Sequence, residues 1–457
     1  MKYRLLIVIV LILNGSLLRA QDKTVKSLPA VNLILIPPSL VTDQINLDIR
    51  AGIKNERNSG RKFNIKIFLD KENKTDLLFH TTVTIGAYRS ATLKFNWPTR
   101  NKAGKHKIML VCDDGSQTFR KENDLTIIAS AIRSTKKIDG AFMGFYHWSE
   151  TEGRFWNSDI KMMTDDQWRE LVNAQHEVGM DIVIMQELFR NQMYDGKHSI
   201  EKDGYMGRAY YPSKLFPGRM PITAKDPVED VLAQADKNGM HVFVAVGLYA
   251  WFDFSAGSLA WHKKVARELW EKYGHHPSFY GWYVSEEKDG GLGDSREREE
   301  IVNFFNAFSD YVHQLSPGKP VMLATNSMNI RGAEDTYKKL LPHLDILCTF
   351  GFHRMPKGDY TGEEAAIALQ NLCNISSTHL WLDMEIFDFT PDNALVPRSI
   401  TGLLHDMQRF PNFEKIVCYQ FPGMMNSPAA TIKPGGENTV KLFLDYKKYL
   451  DSAGFKK

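Results

Sequence analysis

The spacing of apolar residues changes character once along this chain. From Ser27 to about Ser130, short runs alternate apolar and polar positions: VNLILI, QINLDIRAGI, KFNIKIFL, LLFHTTVTI, SATLKFNW, HKIMLVC and DLTIIAS. Successive side chains of a strand face opposite ways, so this period of two predicts an antiparallel sandwich of immunoglobulin type over residues 27–130. The polar, glycine-bearing segments KNERNSGR and TRNKAGK supply hairpin turns. After the linker IRSTKKIDG, compact apolar strands alternate with amphipathic helices, the signature of repeated βαβ units. Eight strands fall at residues 141–148, 181–187, 241–248, 279–287, 320–326, 345–352, 379–387 and 415–421. The helical segment TDDQWRELVNAQHEVG has Thr164 as N-cap and Gly179 as its stop, and PVEDVLAQADKNG and SREREEIVNFFNAFSDYVHQL repeat the design. Eight strand-then-helix units predict a closed (β/α)8 barrel over residues 138–455, since an open doubly wound sheet has no need of eight regular units.

Ahead of both regions stands MKYRLLIVIVLILNGSLLRAQ, with Lys2 and Arg4 before an apolar run from Leu5 to Leu13 and a polar stretch ending in Ala20. This pattern predicts a secretory signal peptide over residues 1–20, and no later segment approaches the roughly 20 apolar residues of a membrane helix. No cysteine follows the run, so a free periplasmic or secreted protein is expected, without an integral membrane segment in the mature chain. The formal charge of +3, with no basic block to track a phosphate backbone, argues against nucleic acid as a partner. Cys112, Cys348, Cys373 and Cys418 lack metal-type spacing and read as buried free thiols. Nine Trp and seventeen Tyr serve a sugar-stacking cleft and a large core equally well. Oligomeric state is open.

The candidate chemistry lies where two strands end. GWYVSEEKDGG and LWLDMEIF each run as an apolar strand into carboxylates, at the end where a β/α barrel keeps its active site. In the second, alternation puts Trp381, Asp383, Glu385 and Phe387 on one face and Leu380, Leu382, Met384 and Ile386 on the other. Glu385 therefore looks into the mouth, with Asp383 a layer deeper and in need of a hydrogen-bond partner. In the first, Gly281, Tyr283, Ser285 and Glu287 form the small and polar set that suits the interior, which favours Glu287 and leaves Glu286 in reserve. A lone rim acid is commonly just a solvated loop residue. Two on separate strands are what acid-assisted cleavage of a glycosidic bond requires.

Other strand ends supply hydrogen-bonding groups and flat rings suited to a polyhydroxylated ligand: Tyr146, Trp148, Gln186, Glu187, Tyr249, Trp251, Asn326, His353, Tyr419 and Gln420, with Glu286 and Asp383. The insertion from Leu188 to about Thr223 carries Phe189, Tyr194, Tyr205, Tyr210, Tyr211 and Phe216, either as a wall for a sugar or as its own packing. His353, Asp383 and Glu385 include metal-ligating types, but without an HxH or HExxH grouping no metal or other cofactor is expected. No GxSxG elbow follows any strand, which disfavours a serine hydrolase.

With FMGFYHW, GWYVSEE and LWLDMEIFDF in hand, the region from 138 to 455 resembles an uncharacterised family of bacterial glycosidase-like barrels. More broadly it is similar to the clan of retaining glycoside hydrolases with glutamates on strands 4 and 7. The resemblance implies Glu287 as acid/base and Glu385 as nucleophile. It departs from much of that clan at Glu286, where asparagine usually stands and binds the sugar 2-hydroxyl. Three function classes follow: a glycosidase acting on an extracellular or periplasmic glycan, an inactive glycan-binding barrel, and a barrel hydrolase of other chemistry. The sandwich reads as a structural module or a carbohydrate-binding one.

Overall fold

The computed structural model describes residues 30–147, 149–190, 208–216, 218–247 and 253–455. Its eight barrel strands are strand 1 (Gly140–Met143), strand 2 (Ile182–Met185), strand 3 (His241–Ala245), strand 4 (Phe279–Lys288), strand 5 (Val321–Asn326), strand 6 (Ile346–Phe350), strand 7 (His379–Glu385) and strand 8 (Lys415–Tyr419). They pair in parallel with their chain neighbours, and strand 8 closes on strand 1. All eight are strands that the sequence places.

The helices form for local reasons that the sequence carries. Asp165–Glu177 begins with a full capping box, Thr164 and Gln167 each bonding the other's backbone N–H, and Gly179 beyond its end takes φ 71°. Ser295–Leu315 repeats the box with Asp294 and Glu297 and buries Ile301, Phe304, Phe305, Phe308 and Val312, one face of the helix. That face lies against the barrel, while Arg296, Glu299 and Glu300 stay outside the buried core.

Before the barrel, a three-stranded sheet (Val31–Ile36, Asn46–Lys54, Ser90–Pro98) faces a five-stranded one built on Val41–Thr42, Thr118–Ile128, Gly104–Asp113, Arg61–Leu69 and Leu77–Ile85. Its own core is a cluster that includes Ile49, Ile53, Ile65, Ile67, Ile108 and Leu110. The first strand is buried on both faces: Val31, Leu33 and Leu35 enter the sandwich core, whereas Ile34 and Ile36 join that of the barrel. This double burial explains why VNLILI is nearly continuous in apolar character where its neighbours alternate.

The sandwich docks at the N-terminal end of the barrel. Buried Arg50 reaches Asp345, just before strand 6, at 2.6 Å and Asp48 at 2.7 Å, and Lys94 adds a contact of 3.0 Å to Asp345. Asp345 also accepts the Val321 backbone N–H at 2.9 Å. Gly52 is required here because a Cβ would lie 2.0 Å from the Pro317 carbonyl oxygen. The C-terminal mouth of the barrel is left to its loops.

Candidate active site

Strand 4 delivers its acids through an irregularity. Against strand 5 its register passes from Val284↔Leu323 to Lys288↔Thr325, so four steps on one strand match two on the other. Bulges of this kind re-aim side chains at barrel rims. Within it Ser285 donates to the Gly247 carbonyl, Glu287 turns into the mouth, and Glu286 turns outward. Glu286 is fully buried beneath the helix Ala256–Tyr273, its Oε1 lying 3.7 Å from His262 Nε2. His262 is pushed down to about 4 by burial and is neutral. Glu286 is thereby removed from the expected ligand contacts, because its face of the strand belongs to the helix layer.

Glu287, Glu385 and Asp383 all line one cavity of about 280 Å³ at the barrel's C-terminal mouth. With them stand Gln186, Tyr419, Tyr283, Phe142, Phe350, Phe387, Phe389, Glu152 and Arg354. Glu287 is half-buried, and its carboxyl is pushed up to about 7. Burial is the main cause; Arg354 opposes it, and Glu385 and Glu152 add repulsion. The neighbouring Glu385 is thus a lesser cause than the low-dielectric surroundings.

Glu385 is almost completely enclosed and is held by Arg354 of the loop after strand 6, with His353 of the same loop close by. Arg354 places Nε at 2.9 Å and Nη2 at 2.8 Å from Oε1, and His353 Nδ1 lies 3.0 Å from Oε2. The turn that presents them closes through Arg354 N–H to the Gly351 carbonyl, with Gly351 at φ 83°. A side chain there would be strained, so the turn calls for glycine. Arg354 thus supplies the basic partner that strand 7 itself lacks.

Asp383 occupies the cavity floor one layer below. Among the described residues its Oδ1 has no hydrogen-bond partner, contrary to the expectation that a buried acid must find one. Burial, with Glu385 and Glu287 adding repulsion, holds its carboxyl well above the usual range, which favours the neutral form over a costly buried charge. Across the cavity, Tyr419 OH sits 3.1 Å from His147 Nδ1, while His147 Nε2 lies 2.9 Å from Glu152 Oε2.

The remaining candidates separate from this site. Tyr146 packs in the barrel's core with the Lys161 ammonium 4.4 Å from its ring centroid. Asn326 holds the loop after strand 4, accepting the Gly290 N–H at 2.9 Å and the Met328 N–H at 3.0 Å. Glu187 and Gln420 are buried but do not line the cavity, Gln420 lying beside Gly144. Trp148, Tyr249, Trp251, Tyr194, Tyr205 and the segment 1–20 lie outside the described residues. Of the insertion's aromatics, Phe189, Tyr210, Tyr211 and Phe216 are core: Phe216 stacks on Phe189, and Tyr211 donates to Glu268 at 2.8 Å.

His353, Asp383 and Glu385 form no metal-type grouping among the described residues. The one such grouping there, Glu229 with His275 and His276, precedes strand 4 at the opposite end of the barrel. His147, Glu152 and Arg354 are cavity or relay residues that strand parity does not reach, whereas Phe389 continues the alternation of Asp383, Glu385 and Phe387 past the strand's end. His147, Glu152 and Arg354 follow strands 1 and 6 by about four to nine positions, so a scan of post-strand loops for charged and imidazole side chains is the signal that finds them.

A closed parallel eight-stranded barrel that carries acids at its C-terminal mouth defines the class by fold: a (β/α)8 barrel. The chain belongs to the family described as "Domain of unknown function (DUF4434)", which matches residues 138–432. No curated protein matches it. Among solved structures it is similar to a putative alpha-L-fucosidase from Bacteroides thetaiotaomicron, at 17% identity and TM-score 0.51, over 69% of this chain and 93% of that one. A beta-glucuronidase from Bacteroides uniformis aligns at 12% identity and TM-score 0.38, over 87% of this chain and 46% of that one. A putative beta-galactosidase from Bacteroides fragilis gives 11% and 0.39, over 92% and 60%. The first likeness establishes the shared fold. No helix among the described residues is long and apolar enough to cross a membrane.

Proposed function

We propose that the protein is a glycoside hydrolase that cleaves a glycan by a retaining mechanism, with Glu287 as acid/base and Glu385 as nucleophile. One observation carries the reading: the two acids share a cavity but differ in environment, Glu287 pushed up to about 7 and Glu385 held by Arg354. Catalysis by two carboxylates needs that inequality, because one must arrive with a proton and the other without. In the first step Glu385 attacks the anomeric carbon while Glu287 protonates the departing oxygen. In the second, Glu287 takes a proton from water, which displaces the sugar from Glu385. Retention requires carboxyl groups about 5 to 5.5 Å apart, against about 6.5 to 9.5 Å for inversion. Proton NMR of the first-formed product tests this: the anomeric configuration of the substrate is expected in the product, and the opposite configuration overturns the nucleophile role.

The outward turn of Glu286 deprives the site of the side chain that much of the clan places on the sugar 2-hydroxyl. Gln186 and Tyr419, both on the cavity surface, are the replacements this site offers. The second reading, a glycan-binding barrel without turnover, is favoured by one feature, the ion pair that already engages Glu385 with Arg354. Binding without hydrolysis, unaltered in a Glu287→Gln protein, would select it. Export is part of the proposal, resting on Lys2, Arg4 and the apolar run to Leu13. N-terminal sequencing of the mature protein should begin near Gln21; an intact Met1 would refute it.

A further inference from the structure

The loops after strands 7 and 1 build a wall on one side of the cavity, with Tyr419 of strand 8 between them. Beyond strand 7 the chain forms a ribbon in which Phe387–Phe389 pairs with Leu395–Pro397. The Leu395 N–H donates to the Glu152 carbonyl at 3.0 Å, and Arg154 meets Asp392 at 2.6 Å, so the ribbon is latched to the loop after strand 1. Arg398 ties its other end down, reaching the Glu385 carbonyl at 2.9 Å and Asp406 at 2.8 Å. The inner surface of this wall is aromatic from rim to floor. Phe389, 49% exposed at the rim, meets Phe387 edge-on at 5.4 Å; Phe387 meets Tyr419 at 5.9 Å, and Tyr419 meets Phe142 at 6.0 Å. The floor is shut by Phe142, Ala324, Phe350 and Asp383. At about 280 Å³ the space is at the lower bound of small-molecule pockets, which span about 300–1,000 Å³.

We propose that this is a blind pocket for one terminal sugar of a glycan, closed by the latched ribbon, with Phe389 as the platform on which the ring or its aglycone stacks at the rim. A polysaccharide running through the site would need an open groove on both sides of the acids, and the ribbon occupies one of them. A sugar's C–H face gains from an aromatic wall, while Glu287, on strand 4 across the barrel from strand 8, and Glu385, at the foot of the wall, address its oxygens. The protein should therefore act from a chain end and release single sugars. This inference rests on the glycosidase reading for its kinetics and on the cavity alone for its binding.

The experiment has two arms. On any oligosaccharide that the full-length protein turns over, product sizes are followed from the first few per cent of conversion. Monosaccharide and a chain shortened by one sugar are expected; early internal fragments overturn the proposal. Phe389→Ala should raise KM about tenfold and change kcat less, and Asp392→Ala, an exposed change that removes the ion-pair part of the latch, should raise KM in the same sense by a smaller factor. Unaltered kinetics in both variants also overturn it. If no glycan is hydrolysed, the glycosidase reading fails and the pocket is tested by calorimetry with methyl glycosides and their oligomers. Equal affinity for one sugar and for its oligomers supports the blind pocket, whereas affinity that climbs tenfold with each of several added sugars refutes it.

Discussion

At the scale of single residues the account turns on the different surroundings of Glu287, Glu286 and Asp383. Glu287 is pushed up to about 7, so the acid form needed for the first step disappears as pH rises through that value. The pH profile of kcat/KM should accordingly show an alkaline limb near 7, absent for substrates whose leaving groups need no proton. Glu287→Gln should lose about 10²- to 10⁴-fold on poor leaving groups, the usual worth of a positioned acid. Glu286→Gln, on the helix-facing side, should keep substantial turnover; the reverse pattern would exchange the two roles. Asp383 gives a stability test with a definite sign. Its carboxyl is raised well above the usual range in the folded protein, so above the unfolded value of about 4 folding must take up a proton and stability falls with rising pH. Asp383→Asn removes that penalty. Thermal unfolding should show a stabilised variant at pH 7 and little difference at pH 4, and a destabilised variant at pH 7 would mean that Asp383 is charged.

At the scale of elements, the loop after strand 6 matters as much as the strands that bear the acids. Arg354 both holds Glu385 and lowers the Glu287 carboxyl below what burial alone would give. Arg354→Ala should then reduce kcat and move the alkaline limb to higher pH; a limb that stays in place would separate Arg354 from Glu287. This loop also marks the limit of what the sequence disclosed. Barrel strands were legible because each is a short apolar run set off by amphipathic helices, and inward parity placed Asp383, Glu385 and Glu287 on the cavity surface. Parity does not reach the loops after strands 1 and 6. Arg354 and Glu152 depend on contacts with Glu385 and Leu395, far off in sequence, and no local period encodes them, whereas Phe389 continues the alternation of Asp383, Glu385 and Phe387 past the strand's end. Tyr146 and Asn326 show the converse: position after a strand was right, but a core packing site and a turn respectively claimed the side chains. The buried aromatics of the insertion were likewise taken by packing.

At the scale of the molecule, the sandwich and barrel share a buried charged junction. Removing one partner of a buried ion pair leaves the other uncompensated, so Arg50→Ala should cost about 3–5 kcal/mol by denaturant unfolding. A loss below about 1 kcal/mol would mean that water reaches the junction. Burial opposes the ionisation of Asp345, but Arg50, Lys94 and His313 together outweigh it and hold the carboxyl well below the usual range. Its contribution is present above the unfolded value near 4 and is lost as pH falls through the lower folded one. Asp345→Asn should therefore be much less stable than wild type at pH 7, with the gap narrowing in strong acid.

The central claim is that Glu385 and Glu287 form one catalytic pair at the mouth of this barrel, and sugar release from a panel of glycans, measured side by side for wild type and Glu385→Ala, tests it most directly. Turnover of at least one glycan by the wild type and none by the variant is the predicted result. Retained turnover in Glu385→Ala, or a wild type inert toward every glycan it binds, would contradict it.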